Sequence, residues 1–419
     1  MPYYNVHTHI FTMNNAPRRF LHLYLPDAVA DLVDKITNTS SGTAVVQRLL
    51  SWFGGNGGKR YASFLQIGKS KNQREVFEDL KQRYDDDTLA FIALTMFMEK
   101  CGADTSGSGY EGQLEEIIQV KREYPDRLFV FMGIDPRWKL TGHELRTTVE
   151  SYFERKINVT ATRSVYPFIG LKLYPCMGFY PFDERLKETF EWAQDNGVPI
   201  ISHCNYLGGI YNNDESYIQS SLNPVDPYSG STYSAPKYIS DANRLSWIMG
   251  KYRSTNNMRS CSYFMEPASY ISMLKSFEER FEKMHLKDDL KMCLAHFGGG
   301  NEILAKPTDI PYGVAGVNWY NQVQAMLTRF PQLYTDVSYA IYDSKIFDTV
   351  YDELNKPYGD RILFGTDFFL TEREQPEKST FSNFRKYAAG KPLTNHNNVD
   401  AFDQIAQHNI ERFLQSKYF

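Results

Sequence analysis

Eight short apolar runs, spread along the whole chain and mostly separated by amphipathic stretches, constrain the fold more than any other feature of this sequence. They lie at residues 3–9, 89–97, 128–134, 168–174, 199–203, 292–296, 333–338 and 361–367. Helical periodicity recurs between them, at 114–123, 181–196, 322–330 and 399–413. In the second of these stretches Phe182, Leu186, Phe190 and Ala193 fall at i, i+4, i+8 and i+11, and Gly197 stands where a helix C-cap belongs. Strands that alternate with helices imply a parallel sheet with right-handed crossovers. Eight such units predict closure into a (β/α)8 TIM-like barrel, with an open doubly wound sheet as the alternative. No GxGxxG follows the first run, which counts against a dinucleotide-binding version of that alternative.

The 419 residues are read as a single barrel domain over 1–419 with enlarged loops after strands one and five, at about 11–88 and 205–265. Both loops leave the C-terminal face, where barrel enzymes keep their sites. A lid or pocket wall is the functional reading of these loops. A surface decoration or dimer arm is the alternative, so homo-oligomerisation stays open. Within the first, Gly54-Gly55-Asn56-Gly57-Gly58-Lys59-Arg60 falls short of a Walker phosphate loop. Phe53 stands where Gly is needed and Arg60 where Ser or Thr is needed. It reads as a flexible loop.

Charge and cysteine content narrow the partners. With 46 basic and 50 acidic side chains the net charge is −4, so there is no basic excess to hold a nucleic-acid backbone. The five cysteines are odd in number and form no CxxC pair, which points to free thiols in a reducing cytoplasm. The start, Met1-Pro2-Tyr3-Tyr4-Asn5-Val6-His7, has neither the cationic nor the apolar region of a signal peptide. The longest apolar run, at 89–98, is too short to span a bilayer. The expected partner is a small-molecule substrate, with neither nucleic acid nor membrane.

His7 and His9 are two apart on the first predicted strand and therefore share a face, where two imidazoles can meet one metal ion. Other predicted strand ends add His203, His296 and Asp367. Three histidines and one carboxylate can converge on one ion, with a further histidine beside it. The remaining histidines, His22, His143, His285, His396 and His408, fall in predicted helices or loops and read as ordinary.

The ordered set of motifs resembles the amidohydrolase superfamily, in particular the amidohydrolase-related branch that includes aminocarboxymuconate-semialdehyde decarboxylases. The matching stretches are Asn5-Val6-His7-Thr8-His9, Gly170-Leu171-Lys172-Leu173-Tyr174-Pro175 and Gly197-Val198-Pro199-Ile200-Ile201-Ser202-His203. Leu294-Ala295-His296-Phe297-Gly298-Gly299, Ile362-Leu363-Phe364-Gly365-Thr366-Asp367 and Gln407-His408-Asn409-Ile410-Glu411-Arg412-Phe413 follow in order. The resemblance implies that His7, His9, His203 and Asp367 bind a divalent metal, usually zinc. It also implies that His296 lies beside the metal as an acid/base or carbonyl-polarising group. Departures are Asn5, where many relatives carry Asp, and Phe368-Phe369, where a Trp-Pro pair is common.

Chemistry agrees with that set. A bound cation lowers the pKa of its water to about 7. Asp367 can bind the ion and take a proton from the water, and His296 can stabilise charge developing on a substrate oxygen. Lys172 should point into the barrel, because Leu171 and Leu173 face the helices. There it is either a carbamylated bridge between two metals or, as the preferred reading, a partner in a buried ion pair. Cys176 and Cys204 read as small apolar packing rather than soft ligands. Arg137, Tyr174 and Trp319 are candidate substrate contacts. Three functions follow: a metal-dependent hydrolase of an amide, lactone or ester; a metal-dependent, non-oxidative decarboxylase of an unsaturated or aromatic acid; and a non-catalytic barrel that binds a ligand.

Overall fold

The computed structural model describes residues 2–19, 70–85, 88–206, 209–233, 260–305 and 318–419. The glycine-rich stretch 54–60, His22 and much of both predicted insertions lie outside the described residues.

Eight strands form one sheet in sequence order, every neighbouring pair parallel. They are β1 (Tyr4–Thr8), β2 (Ala90–Leu94), β3 (Leu128–Ile134) and β4 (Gly170–Leu173). Then come β5 (Ile200–Ser202), β6 (Met292–Leu294), β7 (Leu333–Asp336) and β8 (Ile362–Leu363). The last strand meets the first: the Val6 N–H donates to the Phe364 carbonyl at 3.0 Å, and the Asp367 N–H donates to the His7 carbonyl at 2.8 Å. The eight runs expected from sequence therefore close into a (β/α)8 barrel. Their side chains are buried on both faces, which is why they read as continuous apolar runs rather than as alternating ones. Most strands are shorter than the runs, because several runs end in a turn. His296 and Asp367 both have positive φ, at 69° and 64°.

Helices cover the strands. They are α1 (Gln73–Gln82), α2 (Gly109–Glu123), α3 (Gly142–Glu154), α4 (Lys187–Asp195) and α5 (Ile271–Met284). After them come α6 (Trp319–Arg329), α7 (Phe347–Leu354) and α8 (Glu377–Ala388). Their starts are set by local chemistry. Asn72 accepts a hydrogen bond from the Glu75 N–H, and Thr141 with Glu144 forms a capping box. Because α1 crosses from β1 to β2, part of the 11–88 stretch is the barrel's own crossover helix. Residues 401–414 close the chain as a helix interrupted by a π turn at Gln404–His408. Buried Asn409 donates from Nδ2 to the carbonyls of Gly359 and Ile362, at 2.8 and 2.7 Å, and so pins that closing segment beneath β8.

The described part of the second insertion holds a short helix at Glu215–Ser220 and, beyond it, a tight turn. The Asp226 carboxylate accepts from the Tyr228 N–H at 2.9 Å and from the Ser229 hydroxyl at 2.8 Å. All five cysteines are buried and unpaired. Among the described residues, no helix is long and apolar enough to cross a membrane.

Packing inside the sheet is tight where β3 and β4 pair. Gly170 lies opposite Phe131, and a Cβ added at Gly170 would fall 2.4 Å from a Phe131 ring carbon. Gly170→Ala should therefore destabilise the protein by about 1–3 kcal/mol through overpacking. Urea unfolding measures this, and an unchanged midpoint would contradict it.

Candidate metal centre

The ends of β1 and β8 supply the core of the site. Two apart on one strand, His7 and His9 turn toward Asp367, whose Oδ1 is 3.6 Å from His7 Nε2 and 3.3 Å from His9 Nε2. These three side chains can offer one ligand atom each within a single small volume, and all three are buried. His7 Nε2 and Asp367 Oδ1 are buried and have no hydrogen bond among the described residues. Buried polar atoms without partners are rare, and an ion is one standard reason for them.

The opposite ring nitrogens are fixed. His7 Nδ1 lies 3.0 Å from Asp336 Oδ2, and His9 Nδ1 lies 3.1 Å from the Leu94 carbonyl. Both partners are acceptors, so each Nδ1 carries the proton and each Nε2 keeps its lone pair for a cation. Histidines that ligate metals are held in this way, by a carboxylate or carbonyl behind the ring. The donor set thus fits a divalent metal: two imidazole nitrogens and a carboxylate oxygen.

A second group, His7, His296 and Asp336, is also compact. It engages His7 through Nδ1, the ring nitrogen opposite the one that faces Asp367, and is wired as a hydrogen-bond relay. Asp336 Oδ1 accepts from the backbone N–H groups of His296 and Ser338, each at 3.0 Å, and from the Ser338 hydroxyl. Asp336 and Ser338 went unrecognised in the sequence, although Thr335-Asp336-Val337-Ser338 closes the seventh run. The same strand-end criterion that selected His203, His296 and Asp367 would have found Asp336.

His203 stands slightly apart from the compact triad. Its Nδ1 is 2.9 Å from His296 Nε2, and its ring stacks on Tyr174 with centroids 4.6 Å apart. His296 Nδ1 faces the Ser338 carbonyl at 3.1 Å. The proton between the two rings therefore sits on His203 Nδ1, which leaves His203 Nε2 as an acceptor. The backbone of Gly209 lies against this pair: a Cβ there would come 2.3 Å from the Tyr174 hydroxyl and 2.8 Å from His203 Nε2. Its φ of +89° suits glycine as well.

The electrostatics favour a cation. Burial would raise both carboxyls, but His7 and its hydrogen bond hold Asp336 below the usual range, and the imidazoles of His9, His7 and His296 gathered around it lower Asp367. Burial and the charge of Lys172 lower His7 to about 3, so at neutral pH the ring is neutral and donates to an ionised Asp336. Burial likewise lowers His296. Lys172 does point into the barrel and is fully buried, but its Nζ makes neither a hydrogen bond nor an ion pair among the described residues. Burial lowers it to about 8 against the pull of Asp336 and Asp367. Two carboxylates facing one weakened ammonium favour a divalent cation.

The remaining candidates divide by position. Tyr174 lies at the site, where its hydroxyl accepts from the Ile210 N–H at 3.1 Å. Trp319 begins α6 and packs on Tyr206 at 5.5 Å, with its indole N–H buried and without an acceptor among the described residues. Arg137 is engaged elsewhere, donating to Asp135 and to the Met177 carbonyl at 3.0 Å. Cys176 donates to the Ile210 carbonyl, and Cys204 is buried with its thiol pushed up by desolvation.

Two outcomes are expected. Asp336→Asn should weaken divalent-metal affinity about 10–100-fold, the usual effect of losing the group behind a ligating histidine. Chelator competition reads this, and wild-type affinity would refute the relay. In metal-free protein, Lys172 releases its proton near pH 8 when folded and near 10.5 when unfolded. Stability should therefore rise with pH between those values. Denaturant titrations of wild type and Lys172→Met across that window check it, since the variant should lack this part of the rise.

Several solved structures resemble the chain. A probable 2-pyrone-4,6-dicarboxylic acid hydrolase from Acinetobacter baumannii superimposes with a TM-score of 0.48 at 10% identity, over 99% of each chain. A 5-carboxyvanillate decarboxylase from Sphingomonas paucimobilis gives 0.45 at 11% identity, over 99% of each. The apo form of Metarhizium anisopliae IDCase gives 0.46 at 16% identity, over 99% of this chain and 97% of that one. No curated protein sequence matches. The amidohydrolase family model, however, matches residues 73–415, and the chain accordingly belongs to the amidohydrolase family of metal-dependent enzymes.

Proposed function

We propose that the protein is a metal-dependent hydrolase acting on an amide, lactone or ester. In this reading His7, His9 and Asp367 hold the divalent cation, zinc by its donor set, and His203 is the fourth ligand. The observation that carries it is Asp367 Oδ1, a buried, ionised oxygen with no hydrogen bond among the described residues, facing two imidazole lone pairs. A divalent cation bound there supplies Lewis acidity, which polarises a carbonyl and acidifies water.

The chain's own residues supply the rest. Asp367 takes the proton of the attacking water at its carboxylate. His203 Nδ1 and His296 Nε2 share one proton across 2.9 Å, and that proton can shift toward charge developing on a substrate oxygen. Tyr174 fixes the His203 ring by stacking, and Trp319 offers its indole N–H as a donor to substrate. Lys172 serves as a buried counter-charge to Asp336 and Asp367. The five buried thiols fit a cytoplasmic enzyme.

Two experiments test the reading. In zinc titrations His7→Ala should weaken binding by orders of magnitude while His296→Ala largely spares it. Equal losses would overturn the role given to His296. In a substrate screen of esters, lactones, amides and aromatic acids, turnover should add one water to the substrate. Release of carbon dioxide without net addition of water would sink the hydrolase and establish the decarboxylase.

A further inference from the structure

One buried polar cluster lies outside the metal centre and has no part in the chemistry above. Glu377, the first residue of α8, is fully buried, and its Oε1 collects three donors. The Thr366 hydroxyl donates at 2.6 Å, Asn5 Nδ2 at 3.3 Å, and the Tyr84 hydroxyl more closely still. Tyr84 follows α1 and is wedged edge-on between Phe91 and Phe381, with ring centroids 5.2 and 5.0 Å away. Asn5 is the hub. Its Nδ2 also donates to Thr366 Oγ1 at 2.7 Å, while its Oδ1 accepts from the backbone N–H of Thr366 at 3.0 Å and of His7 at 3.4 Å. Those two backbone groups belong to the residue before Asp367 and to His7 itself. The cluster therefore grips the main chain at both sides of the proposed metal site.

We propose that Glu377 is a positioning residue for that site. Through Asn5 and Thr366 it sets the spacing of β1 and β8 at which His7 and Asp367 face one point. The inference rests on the reading of His7, His9 and Asp367 as metal ligands. The wiring also makes a reciprocal demand. Asn5 must donate from one side-chain atom and accept on the other, and Glu377 must accept. Aspartate at position 5 keeps the acceptor but loses both N–H donors, while glutamine at 377 restores a donor from the other side.

The test is zinc affinity by chelator competition on full-length, EDTA-stripped protein, with circular dichroism and thermal unfolding recorded for each variant. Asn5→Asp and Glu377→Ala should each weaken zinc binding by at least about tenfold, the scale at which groups behind metal ligands act. The double variant Asn5→Asp/Glu377→Gln should return to within about threefold of wild type, because the two positions couple. Gly170→Ala, which lowers stability away from this cluster, should bind zinc as wild type does. That separates positioning from a general loss of stability. If Glu377→Ala does not fold, Asn5→Asp and the double variant carry the test. The proposal is overturned if folded Asn5→Asp or Glu377→Ala binds zinc like wild type, if the double variant is no better than Asn5→Asp, or if Gly170→Ala loses affinity equally. Failure of wild-type protein to bind zinc or manganese at all would instead overturn the metal reading, and this inference with it.

Discussion

The hydrogen bond from the Asp367 N–H to the His7 carbonyl joins the eighth strand to the first. Both residues are also proposed ligands, so the contact that closes the barrel is the contact that assembles the site. Parallel strands have no tight turns to hold their register, and a barrel is complete only when its most distant strands pair. The site therefore cannot exist in a partly folded chain. A cation held there would bind the closed state alone and favour closure by mass action.

Around this seam the imidazoles obey one rule. Each of the four has an acceptor behind Nδ1 or, in His203, a neighbouring ring nitrogen in that place. Desolvation keeps His7 and His296 neutral, and the imidazoles gathered around them keep both carboxylates charged. Neutral rings and ionised carboxylates are the protonation states that metal ligands need, and burial together with local partners sets them without solvent.

Much of this was legible in the sequence, and the reason is physical. Strands buried on both faces leave uninterrupted apolar runs, and the polar residues that end such runs stand out. His7, His9, His203, His296 and Asp367 were picked out as candidates in that way, and the inward turn expected of Lys172 from the leucines flanking it is what the structure has. Among the described residues Lys172 makes no ion pair, and Asp336 is taken up instead by His7, Ser338 and two backbone N–H groups. Asp336 and Ser338 were missed at the end of a run that had been recognised. Tyr84 and Glu377 offered no signal at all. One follows a helix and the other begins one, and only tertiary closure brings them to Asn5. Boundaries drifted wherever the backbone turned left-handed, as at His296, which no apolar pattern encodes.

The register between β1 and β2 slips between Asn5 and Thr8. Irregularities of this kind re-aim side chains, and here Asn5 reaches Tyr84 and Glu377 among the helices while His7 meets Asp336 and Asp367 inside the barrel. One strand thus serves two audiences, with the change of face packed into a few residues. Its length is consequently constrained. Removing or adding a single residue between Asn5 and His7 would leave one of the two on the wrong face, the imidazole outward or the amide inward, so the geometry of the site fixes the count from Asn5 to His9.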